Sequence, residues 1–410
     1  MNYNKLKILN DPIYGFITLP SPLIYDLVQH PYFQRLRRIS QMGLSSLVYP
    51  GAHHTRFHHA LGCMHLMQKA VGVLRNKGVV ISTDEEQALN IAILLHDIGH
   101  GPFSHAMERS IVEGVHHEAI SLMFMEELNQ TFDGQLSLAI KIFKGDYDRK
   151  FMLHLISSQL DMDRMDYLKR DSFFTGVAEG NINSERLIQM MNVVDDILVI
   201  EEKGIYSVEK FLTARRLMYW QAYLHKTSLV AELILMKILK RAKELSHKGI
   251  SLDASKPLRF FLENKIDETS FNSETLGTFA LLDDYDIISA IKSWQFHEDH
   301  IISALSSMLI NRNLLKIKLS NEKFSTEYYQ DIIHQYSELS GLTRDEAKYF
   351  VFKGKIKNQA YSIKVEPIHI LRKDGTIEDV VDASDQLSLK ALSKAVTKYY
   401  ICFPKQLVEK

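Results

Sequence analysis

The sequence predicts a mainly α fold: a helical core with a small N-terminal β-hairpin before it and a smaller α+β C-terminal region after it. Three observations predict this. Apolar residues recur at helical spacing from about residue 22 to residue 310. Residues 6–20 place apolar residues on both sides of the turn signal Asn10-Asp11-Pro12, with Gly15 following. The last hundred residues change character, towards short β-rich runs.

The elements follow in chain order. The hairpin of residues 6–20 leads into the helical region. Leu89, Ile93 and His96 then fall on one helix face at i, i+4 and i+7. Leu160, Asp163, Tyr167 and Asp171 follow the same rule, so a helix is expected from Leu160 to Asp171. Tyr49-Pro50-Gly51, Gly99 to Pro102 and Gly176 to Asn183 mark loops. Near the end, the run Tyr361 to Leu371 meets Asp374-Gly375, a hairpin turn, and then Ile377 to Val381. A helix is expected after Ser384. These signals divide the chain into 1–50 (hairpin and helical lead-in), 51–175 (histidine-rich core), 176–315 (helical extension) and 316–410 (α+β C-terminal region).

Composition narrows the class. A net charge of −1 lacks the basic excess expected of a protein that holds nucleic acid by its phosphates, which argues against such a partner. Two cysteines, Cys63 and Cys402, make a disulfide framework improbable and suggest a reducing compartment. The polar start MNYNKLKILNDPIYG has no apolar h-region, and the most apolar helical stretches carry charged or polar residues. The expectation is a cytoplasmic protein with no membrane partner.

Ten of the 18 histidines fall between His53 and His117: His53, His54, His58, His59, His65, His96, His100, His105, His116 and His117. Neutral imidazole is the commonest protein metal ligand and acid–base group. The run ALNIAILLHDI, Ala88 to Ile98, is an apolar helix ending on His96-Asp97. Such a pair is costly to bury unless both members are satisfied. A metal at the helix end satisfies both. His59 opens another helix and shares a face with Cys63, Leu66 and Ala70, and Asp163 sits on a third. Two imidazoles and two carboxylates make a mixed N/O site suited to Fe, Mn, Zn, Co or Ni, with positions open for water and phosphate. Taken singly, His96-Asp97 also reads as a buried hydrogen-bonded pair and His59 as a core histidine. The specificity lies in the ordered set.

That set resembles the HD-domain deoxynucleoside triphosphate triphosphohydrolases, the group of the bacterial dGTPase-like enzymes and the mammalian SAM-and-HD-domain dNTPase. The matching stretches are Asn10 to Gly15, Phe33 to Arg37, Gln41 to Gly43, Tyr49 to Ala52 with Arg56 to His59, and His96 to His105. They continue with His117-Glu118, Asp161 to Tyr167 with Arg170-Asp171, and Tyr223 to Lys226. Order and spacing hold over residues 5–230, and no separate SAM domain is expected within these residues.

The resemblance implies a helical HD core and hydrolysis of a dNTP to a deoxynucleoside and triphosphate. It assigns His59, His96, Asp97 and Asp163 to the metal, and Mg accompanying the nucleotide phosphates is compatible with it. With attack at the α-phosphorus, His105 is the first choice to protonate the leaving 5′ oxygen, and Glu108 to orient it. Relatives usually carry Asp where Glu108 stands. His100 and His117 would line the phosphate site. Arg56, Arg164, Arg215 and Lys226 match positions facing phosphates, and Gln41, Tyr167, Asp171 and Tyr223 match positions around sugar and base. Trp220 reads as core. Relatives assemble as dimers, tetramers or hexamers, so a homo-oligomer (dimer or tetramer) is expected. Some are switched on by a guanine nucleotide read by an Asp. Here that position is Gln29, which accepts guanine's donors less strongly. Any nucleotide activator would therefore be read in an altered form, with Gln34 and Arg37 still present.

Two alternatives stand beside this reading. Another HD phosphohydrolase, a nucleotidase or phosphodiesterase, would release orthophosphate or a monophosphate instead. A nonenzymatic nucleotide sensor would keep its biological activity after loss of His105 or the metal ligands.

Overall fold

The computed structural model describes residues 7–103, 105–108, 110–112, 114–362, 366–385 and 393–408, with the side chains of His105, Glu108 and Val408 left aside. Strands β1 (Lys7–Asp11) and β2 (Gly15–Leu19) form the expected antiparallel hairpin. Asp11 shapes its turn by accepting from the amides of Ile13 (2.9 Å) and Tyr14 (3.0 Å), and Gly15 takes the left-handed φ of 75°. Helix α1 (Pro22–Gln29) follows, capped by Ser21.

The core is built on three helices. Helix α2 (Arg56–Asn76) packs against α3 (Thr83–Leu95) and α6 (Met162–Thr175). A reciprocal capping box between Ser82 and Glu85 starts α3, worth about 1 kcal/mol. Every residue from Ala88 to Leu95 is buried, so α3 is a central helix and its C-terminal end opens inside the protein. Helix α6 is capped by the Asp161 carboxylate and ends on left-handed Gly176. It begins two residues later and runs four residues further than the spacing alone predicts. Between α3 and α6 lie α4 (His105–Glu108) and α5 (His117–Thr131). Gly62 on α2 lets α6 approach: a Cβ there would stand 2.0 Å from an Asp166 oxygen.

The long helical stretch is interrupted, which the apolar period does not foretell. Strands β3 (Met191–Val194) and β4 (Ile197–Glu201) form a hairpin whose turn residues, Asp195 and Asp196, both take positive φ (49° and 62°). The run MNVVDDILVIE alternates weakly, and the absence of Gly hides the turn. Helices α7 (Ile205–Met218) and α8 (Lys226–His247) follow, with a π-helical turn, Tyr219–Tyr223, between them. Trp220, read as core, is half-buried beneath Lys398, whose ammonium sits 4.2 Å from the ring centre. Helix α9 (Asp284–Trp294) comes next.

Strand β5 (Lys316–Ser320) opens the β-containing end and joins β6 (Phe352–Asn358) and β9 (Val396–Phe403) in the order β5-β9-β6. The Asp374-Gly375 turn links β7 (His369–Leu371) to β8 (Ile377–Asp379), both shorter than the sequence runs suggest. β7 lies parallel to β4, giving a four-stranded sheet, β3-β4-β7-β8, that ties the C-terminal region to the middle of the chain. Short helix Val380–Ala383 precedes Ser384, and the helix expected after Ser384 falls on residues 386–392, outside the described residues. Among the described residues no helix is long and apolar enough to cross a membrane.

Candidate active site

The inner ends of α2, α3 and α6 bring His59, His96, Asp97 and Asp163 together. His59 Nε2 lies 3.0 Å from Asp163 Oδ1 and 3.7 Å from Asp97 Oδ2. His96 Nε2 lies 3.6 Å from Asp163 Oδ1 and 3.5 Å from Asp97 Oδ1. Each imidazole is oriented from behind. His96 Nδ1 donates to the Ile93 carbonyl (2.7 Å), and His59 Nδ1 to Asp166 Oδ2 (2.8 Å). Both rings therefore turn the Nε2 lone pair towards the carboxylates. The Nε2 of His96 is buried with no hydrogen-bond partner among the described residues.

Two lone pairs facing two carboxylates repel unless a cation lies between them, so the donor set fits a divalent metal. A proton on His59 Nε2 can stand in for that cation, turning the contact with Asp163 into a hydrogen bond. Burial opposes a charged His59, but Cys63 and the bonds to Asp163 and Asp166 outweigh it and push its pKa well up. Burial likewise opposes the Asp163 anion, yet His59 and His96 hold its carboxyl far below the ordinary range. Ligand atoms of His59, His96 and Asp163, with Cys63 Sγ, lie within 4.8 Å of one another. Asp97 is shared: its carboxylate also groups with His100 and His117 and is clasped by Arg56.

His100 Nε2 approaches Asp97 Oδ1 at 3.2 Å, and its ring stacks on His117 at 3.9 Å. Burial, then Arg56, lowers the His100 pKa to about 3, so it is neutral near pH 7 and donates to Asp97. Helix α4 carries His105 and Glu108, whose side chains lie outside the described residues.

Beside this cluster lies a cavity of about 260 Å³ walled by Gln41, Arg56, Tyr167, Asp171, Tyr219 and Tyr223. Helix α8 closes it with Ser228, Glu232 and Leu235. Tyr223 donates to Asp171 Oδ2 at 2.8 Å, and Asp171 Oδ1 lies 2.6 Å from His54 Nε2. The Oε1 of Gln41 is buried without a partner among the described residues. The structure thus gathers Gln41, Arg56, Tyr167, Asp171 and Tyr223 around one space. The other expected phosphate contacts do not line it. Arg164 pairs with buried Asp161, Arg215 donates to the Ala360 carbonyl (3.0 Å), and Lys226 is exposed at the first residue of α8. Gln29 is exposed at the end of α1, while Arg37 donates to Gln34 (2.8 Å).

Sequence reasoning missed the residues behind the candidate ligands. Asp166, fully buried, takes two bonds from Arg170 (2.9 and 3.0 Å) besides the one from His59. Arg170 also donates to Asp11 in the hairpin turn (2.7 Å), so the N-terminal hairpin is tied to the orientation of His59. The i, i+4 pair Asp166/Arg170 was the available signal. Asp284 is a second omission: its oxygens accept from the amides of Ser40 (2.8 Å) and Phe103 (3.1 Å), fixing two loops near the cavity. Nothing local in the sequence marks it.

A family model described as HD domain matches residues 56–171, and one described as HD associated region matches residues 182–256. The solved structure of a phosphohydrolase from Bacteroides thetaiotaomicron is 53% identical and superposes with a TM-score of 0.95, over 98% of this chain and 100% of that one. An uncharacterized protein of Bacillus subtilis is 33% identical over 98% of this chain and 93% of its own length. The deoxynucleoside triphosphate triphosphohydrolase SAMHD1 of Homo sapiens is 28% identical over 60% of this chain and 46% of its own.

Proposed function

The chain belongs to the HD-domain phosphohydrolases, and from that premise we propose that it hydrolyses dNTPs to deoxynucleoside and inorganic triphosphate. One observation carries the reading. Arg56 both lines the 260 Å³ cavity and clasps Asp97 of the metal cluster, so a nucleoside in the cavity would put its phosphates at the cluster.

In this proposal His59, His96, Asp97 and Asp163 hold a divalent ion drawn from Fe, Mn, Zn, Co or Ni. Once bound, that ion supplies Lewis acidity and activation of water near neutral pH. His105 protonates the leaving 5′ oxygen and Glu108 orients it. Neutral His100 and its stacked neighbour His117 line the phosphate side. Arg56 offsets part of the triphosphate's charge by forked contact, while Arg164, Arg215 and Lys226, which lie off the cavity, would reach the phosphates only by leaving their present positions. The Tyr167 and Tyr223 rings, 6.1 Å apart and nearly perpendicular, crowd the sugar and disfavour a 2′-hydroxyl. Gln41 and the Asp171–Tyr223 pair hold sugar and base. The active form is a homo-oligomer.

Hydrolysis in ¹⁸O-water tests the site of attack. Attack at the α-phosphorus puts the label into the triphosphate and leaves the deoxynucleoside unlabelled. Label in the deoxynucleoside means attack at C5′ and contradicts it, and a labelled monophosphate, also formed by attack at the α-phosphorus, contradicts the release of triphosphate.

A further inference from the structure

Helix α8 has two working faces. Ser228, Glu232 and Leu235 close the catalytic cavity. The adjoining face, with Leu233, Met236 and Lys237, forms the floor of a second and larger cavity of about 780 Å³. Its other walls come from the segment around Ile266 and from strands β6 and β9.

The second cavity is cationic. Lys237, Lys240 and Lys243 reach it from α8, Lys265 from the facing loop and Lys353 from β6, with His247 at the rim. Its two carboxylates are committed elsewhere. Glu244 is bonded by Arg241 (3.3 Å) and the Tyr349 hydroxyl, and Asp267 accepts from the amides of Thr269 (3.1 Å) and Ser270 (3.2 Å). Among the described residues no carboxylate pairs with Lys237, Lys240, Lys265 or Lys353, although Lys237 donates to the Lys348 carbonyl (3.2 Å) and Lys353 to those of Phe324 (3.3 Å) and Ser325 (3.4 Å). A helix C-terminus favours cations in its last turn, which accounts for charge near His247 but not for Lys237, ten residues earlier. Burial, and then Lys240, holds the Lys237 ammonium below its ordinary value. Gathering like charges around a concavity costs free energy that a bound anion would return.

The geometry points to a binding site for an oligophosphate, free or carried on a nucleoside, in the cavity between α8, the Ile266 segment and the β6–β9 strands. The basic residues named are lysines, compact point charges suited to a chain of phosphates, with no arginine fork to match a planar carboxylate. Phe352 and Tyr400 add an aromatic wall that would take the organic part of a nucleotide. The site also touches the catalytic side of the molecule. Ser110, just past α4, lines it, Lys243 donates to the Ile111 carbonyl (2.9 Å), and Val112 bridges to Ile266. An anion drawing Lys243 and Lys265 together would therefore bear on the segment that follows His105 and Glu108.

The test is calorimetric titration of inorganic tripolyphosphate, and separately of ATP, into the full chain stripped of metal by chelation. Wild type is compared with Lys240→Ala/Lys265→Ala, Lys240→Glu/Lys265→Glu and Arg56→Ala. Both lysines are exposed, so the variants keep the fold. Saturable binding is expected in wild type and in Arg56→Ala. It should weaken about tenfold in the double alanine variant, vanish in the double glutamate variant and fall with added salt. Equal affinity for both probes means the phosphate chain alone is read, and tighter ATP means the aromatic wall reads the nucleoside. Absence of binding, binding indifferent to the lysine changes, or binding lost in Arg56→Ala overturns the inference. Because no turnover is measured, the result stands apart from the proposed hydrolysis.

Discussion

Replacing Asp166 should separate orientation of the candidate metal site from the number of side chains that would hold the ion. Asp166 touches no substrate position, yet it accepts three short bonds, one from His59 and two from Arg170, with all three side chains fully buried. Bonds to charged groups contribute about 1.5–3 kcal/mol each and do not add. Truncating one member of a buried ion pair costs about 3–5 kcal/mol, because the partner is left uncompensated. Asp11 still holds Arg170, which places Asp166→Ala near 3 kcal/mol and Asp166→Asn lower. Burial works against the Asp166 anion, but Arg170 and His59 hold its carboxyl at about 2. Loss of this support should weaken metal affinity about 10–100-fold, as for other residues behind ligating histidines. Denaturant unfolding of the metal-free protein gives the first quantity, and competition with a chromogenic chelator gives the second. Wild-type metal affinity in a folded Asp166→Asn variant would refute the claim that this carboxylate sets the His59 ring.

Four further outcomes follow from the geometry. Gly62→Ala should abolish soluble folded protein in expression trials, since its Cβ would lie 2.0 Å from Asp166 and 2.3 Å from Arg170. Tyr223→Phe removes the 2.8 Å bond to Asp171 and should raise KM for the nucleotide about tenfold in steady-state kinetics, leaving metal content unchanged. Chelation should abolish hydrolysis and lower the thermal midpoint, and Mn or Fe should restore both. Burial works against the Asp299 anion, but Arg241 outweighs it and depresses its pKa. Its stabilising effect is then present above the ordinary carboxylate value of about 3.9 and lost as pH falls below it, so Asp299→Asn should flatten the acid limb of the stability curve.

The gathering of His59, His96, Asp97 and Asp163 was legible because its cause is local. An apolar helix cannot end on His-Asp cheaply, and the spacing of Asp163, Tyr167 and Asp171 declares one helix face. The hairpin was legible because Asp11 and Gly15 are what its turn requires. The supports of the site were less so. The Asp11–Arg170 bond spans 159 positions and the Asp284 bridge to Ser40 spans 244, separations at which pattern says nothing. The β3–β4 hairpin escaped because Asp195 and Asp196 take a left-handed turn usually held by Asn-Gly. Arg164 and Arg215 show a further gap: their residue type suits phosphate, but only coordinates reveal that Asp161 and Ala360 already engage them.

The central claim is tested most directly by incubating metal-loaded protein with each dNTP, alone and in mixtures, and separating the products by ion exchange. Deoxynucleoside together with intact triphosphate is the predicted result. A monophosphate, orthophosphate, or no turnover with metal confirmed bound would contradict it.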